Sequence, residues 1–153
     1  MLSDKKLKIE ELLEEEGRYI GPTVGVSMLP MLKNRRDTIV VLAKTQRLKP
    51  LDVALYKRGD AYVLHRVLTP IQGGYLIRGD NCYTDEWIKE EHVIGVLSEF
   101  FRKDKHYYCT DKKYLSYAKI WVKTYPIRKF FVKLFVKIKN AVKKILKLLG
   151  LRK

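Results

Sequence analysis

The sequence has few cysteines and no long apolar run, and both absences narrow the class of protein. Cys82 and Cys109 are the only cysteines among 153 residues. Two cysteines are too few for a disulfide scaffold and match no zinc spacing, so we expect free thiols in a reducing compartment. No run approaches the roughly 18 consecutive apolar residues of a membrane-spanning helix, and the N-terminus lacks the apolar segment of a secretory signal. We therefore expect a cytoplasmic protein. No glycine-rich phosphate loop is present either, so the sequence indicates no cofactor and no metal.

Acidic residues are missing from the C-terminal part of the chain. Residues 112–153 contain 14 Lys or Arg and no Asp or Glu, whereas the preceding residues include 18 basic and 17 acidic ones. A nearly neutral body therefore carries a strongly cationic tail. A basic segment of this kind favours an anionic lipid surface or a nucleic acid as its partner.

The body has the turn-rich pattern of a β domain. Short runs rich in Val, Ile and Tyr alternate with Gly, Pro, Asp and Asn, which favour turns. Gly73 and Gly74 indicate a hairpin, and residues 84–91 suggest a short helical turn. Strands of this spacing are typical of a compact, barrel-like and mainly β fold. The predicted strands are Arg18–Val26, Thr38–Ala43, Val53–Lys57, Tyr62–Thr69, Tyr75–Arg78 and Val93–Arg102.

Helices are predicted on both sides of this body. The first covers residues 3–16, is capped by Ser3 or Asp4, and ends at Gly17. The sequence therefore divides into an N-terminal helix (residues 1–17), a β domain (18–111) and a basic helical tail (112–153).

The tail has a helical period of apolar and basic residues. Pro126 is expected to divide it into two helices, because proline lacks an N–H donor and clashes with the preceding turn. The second helix, Ile127–Leu149, has Phe, Leu and Ile on one face and Lys on the other. Such a helix can lie flat in the headgroup region of a membrane, so we expect this segment to hold the protein peripherally on an anionic membrane surface. Packing of the apolar face on the β body is the alternative. Nucleic acid is a weaker partner, because phosphate binding would leave the apolar face unexplained.

Three segments of the β body contain residues suited to catalysis. A serine hydroxyl needs a base within hydrogen-bond reach, and the base needs an orienting group. Ser27 can be the nucleophile, His65 the base, and Asp80 or Asp85 the orienting acid. The segments are GVSMLPML (25–32), YVLHRVL (62–68) and IRGDN (77–81).

Each residue also has an ordinary structural explanation. Ser27 lies in a turn between Gly25 and Pro30, where serine is common. His65 alternates with valines in a strand, which is compatible with a buried structural histidine. We interpret His92 and His106 as structural because no motif surrounds them.

The order of the three segments is more specific than any one of them. S-M-x-P, then a strand with H-R-V, then G-D-N resembles the signal peptidase I superfamily, which includes self-cleaving repressors. The resemblance covers residues 19–101 and is strongest to the branch that uses a histidine base, as in the endoplasmic-reticulum and archaeal signal peptidases.

The resemblance implies a role for each matched residue. Ser27 would be the acylated nucleophile and His65 the general base, while Asp80 and Asp85 would be the acidic pair in an order left open. The second acidic position of the family falls on Asp85 or on the neighbouring Glu86, and Asp85 is favoured. The backbone N–H of Ser27 would contribute to an oxyanion hole. The remaining matched residues would support the site by bracing it or shaping its loop: Gly25, Met28, Pro30, Arg66 and Asn81.

The function implied is a serine endopeptidase that acts on a peptide or protein substrate through an acyl-enzyme. The family favours small side chains, so Ala or Gly is expected before the scissile bond. The sequence departs from the family in lacking an apolar helix before the serine segment, where it has a mixed-charge helix instead. A catalytically silent peptide-binding module of the same fold, or a self-cleaving regulator, are the alternatives.

Overall fold

The computed structural model describes residues 8–148. Within this range a mainly β body is preceded by one helix and followed by two. The elements are α1 (Ile9–Glu16), β1 (Arg18–Pro22), β2 (Thr38–Ala43), β3 (Val53–Arg58), β4 (Ala61–Ile71), β5 (Gly74–Arg78), β6 (Glu86–Lys89), β7 (Val93–Arg102), β8 (Lys105–Tyr108), α2 (Lys112–Lys123) and α3 (Tyr125–Leu148). A short 3₁₀ helix, Glu90–His92, joins β6 to β7.

The strands form one antiparallel sheet that curls into a half-barrel. Their order is β1-β2-β7-β3-β4-β5-β6, and β8 pairs with the C-terminal half of β7. β7 therefore joins the β1–β2 hairpin to the β3–β6 meander, because it hydrogen-bonds with β2 on one side and β3 on the other. β3 pairs with β7 only as far as Val96, and β8 pairs with the following part of β7, Glu99–Arg102.

Alternation along the strands divides the buried residues into two cores. In β3, Val53 and Leu55 face one core, and Ala54 and Tyr56 face the other. This follows from the two-residue period of a strand, in which neighbouring side chains point to opposite faces. The sheet is thus covered on both faces where it is most apolar.

The predicted strands agree with the observed ones, apart from their ends. The first is shorter than expected, since it ends at Pro22 instead of Val26. The predicted hairpin is confirmed: Ile71 pairs with Gly74, and Gln72 and Gly73 form the turn.

The expectation of a helical turn at residues 84–91 is wrong for its first part. Glu86–Lys89 is strand β6, in register with β5 through the pairs Ile77–Glu86 and Tyr75–Ile88. Burial of Ile88 in the second core makes the extended conformation favourable. The sequence analysis also missed β8, a four-residue strand that is mostly exposed and has no apolar alternation.

Helix α1 begins at Ile9 with Lys8 at its N-cap position, and residues 3–7 of the predicted helix lie outside the described residues. The Lys8 N–H donates to Glu11 Oε2 at 2.9 Å, an interaction that satisfies an N-terminal donor. Gly17 ends the helix in the left-handed conformation with φ +71°, as expected for a helix stop. The proposed caps Ser3 and Asp4 lie outside the described residues.

The tail consists of two helices that meet at Thr124, which agrees with the expected break near Pro126. Pro126 lies in the first turn of α3, where the missing N–H costs nothing. Contacts divide the chain into a unit that ends at Lys119 and a second unit that begins at Ile120. Between residues 8 and 148, no helix is both long enough and apolar enough to cross a membrane.

Candidate active site

The three segments singled out in the sequence meet around Gly79. A Cβ atom placed on Gly79 would lie 2.9 Å from His65 Nε2 and 2.8 Å from the carbonyl oxygen of Ser27. It would also lie 2.7 Å from Cys82 Sγ. No side chain fits in this space. Glycine therefore lets the His65 ring approach the backbone of residues 25–30, which we call the serine turn.

The rest of the Gly79–Asn81 turn fixes the serine segment. The Asn81 N–H donates to the Ser27 carbonyl oxygen at 2.7 Å. The Asn81 Nδ2 amide donates to the Val26 carbonyl oxygen at 3.2 Å. Two hydrogen bonds from one residue hold the serine turn against the turn that follows β5.

The serine turn is also closed on its other side. Gly25 has φ +96°, a conformation that favours glycine, and its N–H donates to Asn34 Oδ1 at 2.9 Å. Ser27 is half-buried, Met28 is buried in the first core, and Pro30 is exposed. Met28 therefore anchors the turn while Ser27 remains within reach of solvent.

His65 is buried, and its two ring nitrogens face different groups. Nε2 points to the Gly79 and Ser27 side, as the close approach shows. Nδ1 lies 3.2 Å from the Tyr56 hydroxyl oxygen and 3.6 Å from Glu86 Oε1. Burial lowers the pKa of His65 below its ordinary value, and the nearby Glu86 carboxylate partly opposes this effect. The imidazole is therefore neutral at physiological pH, the state that a general base requires.

Hydrogen-bond counting around Tyr56 assigns the tautomer of His65. The Tyr56 hydroxyl donates its one proton to Glu86 Oε2 at 3.2 Å and accepts a hydrogen bond from Arg58 Nη2 at 2.6 Å. A hydroxyl has one proton and two lone pairs, so the remaining contact must be one in which His65 Nδ1–H donates. The proton of the neutral ring then sits on Nδ1, and Nε2 carries the lone pair that faces the serine turn.

Arg58 completes this network at the surface. Its guanidinium also forms a short ion pair with Glu86, whose side chain is partly exposed. Burial and the Glu86 charge raise the pKa of Tyr56, so its hydroxyl stays protonated. We call Tyr56, Arg58 and Glu86 the orienting network of His65.

Asp80 and Asp85 occupy different positions from this network. Asp80 is buried, and its two oxygens accept hydrogen bonds from Arg66 Nε and Nη2 at 2.8 and 2.7 Å. Asp85 is exposed and pairs with Arg78 Nη1 at 2.8 Å. The negative charge of Asp80 favours the protonated ring and so slightly opposes the lowering of the His65 pKa by burial. Neither carboxylate is the hydrogen-bond partner of Nδ1 in this arrangement.

Arg66 also connects Asp80 to other segments around the site. Its Nη1 donates to the Leu51 carbonyl oxygen at 2.9 Å and to the Tyr114 hydroxyl at 3.0 Å. Its Nη2 contacts Met31 Sδ at 3.1 Å. This fork of donors links β4 to the turn after β5, the serine segment and α2, because each of these three supplies an acceptor to the same guanidinium.

An apolar groove of about 340 Å³ opens beside Ser27. It is bounded by α1, by β1 and the turn after it, and by the start of β4. Its lining includes Ile9, Tyr19, Pro22, Val24, Ser27, Met28, Tyr62, Val63 and Leu64.

Sequence reasoning missed the orienting network. In the sequence, Tyr56 and Arg58 have the pattern of ordinary strand residues. Asp85 is favoured over its neighbour Glu86 as the second acidic residue of the site. The only available signal was the register between β3 and β4. Ala54 pairs with His65, so Tyr56, two residues further along β3, lies on the same face of the sheet as His65. Among the described residues, no group of three or more His, Cys, Asp or Glu is placed to hold a metal ion.

The comparisons with known proteins give no relative that would assign this site. No model of a protein family matches the sequence, and no curated protein matches it.

Proposed function

We propose that this protein is a serine endopeptidase with Ser27 as nucleophile and His65 as general base. The observation that carries the proposal is the placement of the buried His65 ring, whose Nε2 meets the Ser27 backbone at Gly79 while its Nδ1 contacts the Tyr56 hydroxyl. A structural histidine in a strand needs no such placement.

The reaction follows from this arrangement. Ser27 Oγ attacks the carbonyl carbon of the substrate, and its proton passes to His65 Nε2. The protonated ring then gives that proton to the leaving amine as the peptide C–N bond breaks, which leaves an ester on Ser27. A water molecule then attacks the ester while the same Nε2 takes its proton, and His65 returns that proton to Ser27 Oγ as the acyl C–O bond breaks.

The orienting network has a defined part in these steps. Nδ1–H remains hydrogen-bonded to Tyr56 while Nε2 takes up a proton, and the Glu86 carboxylate stabilises the positive ring that forms. We assign the orienting acid to Glu86 and a bracing role to Asp80, because Arg66 holds both oxygens of Asp80.

We propose further that the half-barrel has the peptidase fold of the signal peptidase I superfamily. The support is the order of the serine turn, the histidine strand and the Gly-Asp-Asn turn, together with their meeting at Gly79. This fold assignment includes the histidine base and extends over β1–β7.

We propose that α3 places the enzyme at an anionic membrane surface on the cytoplasmic side. Six large apolar side chains on one face of the helix are more than half exposed, although their burial is worth about 1.5–3 kcal/mol each. They are Ile127, Phe130, Phe131, Phe135, Ile138 and Ile145. Lysines on the other face add about 1 kcal/mol each near anionic lipid.

Vesicle flotation tests the membrane proposal with two matched substitutions. Phe131→Ser on the apolar face is expected to lower binding to phosphatidylglycerol vesicles by about tenfold, since one phenyl ring is lost from the bilayer boundary. Val136→Ser lies among the lysines and should change binding little. Equal binding of wild type to neutral and anionic vesicles, or equal loss in both variants, would contradict the proposal.

The peptidase proposal is tested with wild type and Ser27→Ala, and with Ser116→Ala as a control because Ser116 is exposed on α2. Each protein is incubated with a cell-protein extract and anionic vesicles, and new N-termini are identified by mass spectrometry. We expect cleavages with wild type and Ser116→Ala and none with Ser27→Ala. Equal cleavage by all three proteins would overturn the mechanism.

A peptide-binding module of the same fold is the second candidate, because the groove beside Ser27 can hold a peptide without any chemistry. A folded wild-type protein that binds peptides in this groove and leaves them intact would favour it.

A further inference from the structure

We propose that the groove beside Ser27 selects substrates with bulky apolar side chains on the acyl side of the scissile bond, and that α1 sets the size limit through Ile9. This inference rests on the proposed function and names its substrate class.

The volume of the groove is the first reason. At about 340 Å³ it lies at the lower end of the range of pockets that enclose whole small molecules. Beside the backbone of a bound peptide, an Ala methyl group would contact less of the apolar lining than a larger side chain, and unfilled apolar space loses the contacts that stabilise a complex. The expectation of Ala or Gly before the scissile bond, taken from the resemblance, therefore does not suit this groove.

The edges of the groove explain how a peptide would enter it. β1 is an edge strand of the sheet. β4 pairs with β5 only from Arg66 onward, so within the described residues Tyr62–Leu64 have a strand neighbour on one side only. Tyr62, Val63 and Leu64 all line the groove although they alternate between the faces of β4, which places the groove along the open edge of the strand.

A peptide in this position would be extended, because backbone hydrogen bonds with an open strand edge require that conformation. Side chains two residues apart then point to the same face. The residue before the scissile bond and the second residue upstream of it would both enter the groove. The selected pattern is thus two bulky apolar residues separated by one position.

Helix α1 forms one wall of the groove and is held in place. Ile9 lines the groove, and Leu13, one turn later, is only 3% exposed in the first core. Glu10 forms an ion pair with Lys57 at 2.7 Å and accepts a hydrogen bond from the Tyr62 hydroxyl at 3.2 Å. Because Glu10 attaches α1 to both β3 and β4 and Leu13 is buried in the core, the wall that contains Ile9 is a fixed boundary.

The test uses synthetic peptides that are identical except for Ala, Leu or Phe at these two positions. Cleavage by wild type gives kcat/KM for each peptide, and fluorescence anisotropy with the Ser27→Ala protein gives affinity without chemistry. We expect the Leu and Phe peptides to be preferred over the Ala peptide by about tenfold or more, as for added methylenes in an apolar pocket. Ile9→Trp should reverse that preference by filling the groove, while Ile120→Trp, an exposed control position, should not.

The two assays separate failure of this inference from failure of the proposed function. Cleavage with a preference for the Ala peptide would overturn the inference and leave the peptidase intact. Tighter binding of the Leu peptide without cleavage of any peptide would retain the groove assignment and overturn the peptidase. If Ile9→Trp and Ile120→Trp have the same selectivity as wild type, α1 does not set the limit.

Discussion

Replacing Asp80 by asparagine would break an ion pair whose side chains are 1% (Arg66) and 2% (Asp80) exposed. Asparagine keeps the size of the side chain but removes the charge, and its amide nitrogen faces the guanidinium donors. Arg66 would then be a buried cation without a counter-charge. Breaking a buried pair in this way costs about 3–5 kcal/mol, which is a large part of the roughly 5–15 kcal/mol that stabilises a typical domain.

The matched control is Asp85→Asn, which removes the charge from the pair with Arg78. Asp85 is 41% exposed in that pair, so water replaces the lost interaction. Exposed pairs of this kind contribute about 0–1 kcal/mol. The two substitutions are chemically identical and lie five positions apart, so only the burial of the pair distinguishes them.

Urea unfolding, followed by intrinsic fluorescence, measures both free energies. We expect a loss of about 3–5 kcal/mol for Asp80→Asn and less than about 1 kcal/mol for Asp85→Asn. If Asp80→Asn is no less stable than Asp85→Asn, then Asp80 does not brace the site, and its assignment as a structural residue is wrong.

The remaining predictions concern the histidine. Gly79→Ala should lower kcat/KM by about a hundredfold with little change in binding, because the new methyl group displaces His65 or the serine turn; unchanged activity would contradict the close approach. Tyr56→Phe should reduce kcat/KM about tenfold, since Nδ1–H loses its acceptor, and circular dichroism would check that the protein is folded. Activity should rise as pH increases through the pKa of His65. Glu86→Gln should move that rise to lower pH and Arg58→Gln to higher pH, because Glu86 raises and Arg58 lowers the pKa of His65; shifts in the same direction would refute the assigned network.

The sequence predicted the strands well because each has a strong local signal. β2 contains the apolar run IVVLA and β3 begins with VALY, and such short runs next to turn residues remain extended in most contexts. β6 was predicted wrongly because Glu86–Lys89 has mixed polarity. Its conformation depends on pairing with β5, which a local pattern does not reveal.

The candidate site was also predictable in part, because some of its residues have a strong local signal. Ser27, His65 and the Gly-Asp-Asn turn lie in recognisable motifs, and the structure brings all three together. The acid was harder to choose, because three carboxylates lie within a few residues of one another. Each of the three pairs with an arginine, and only the fold shows that Glu86 also reaches the Tyr56 hydroxyl beside His65.

The position of β7 determines when the site can assemble. Ser27 follows the first strand of the β1–β2 hairpin and His65 lies in the β3–β6 meander, and β7 is the strand that pairs with both parts. β7 is synthesised after both of these parts, so each part has an unpaired strand edge until β7 pairs with it. We therefore expect Ser27 and His65 to reach their final positions only after β7, which ends at Arg102, has left the ribosome and paired with both parts. Contacts between segments so distant in sequence form slowly, so we expect the serine turn and the histidine strand to become fixed relative to each other late in folding.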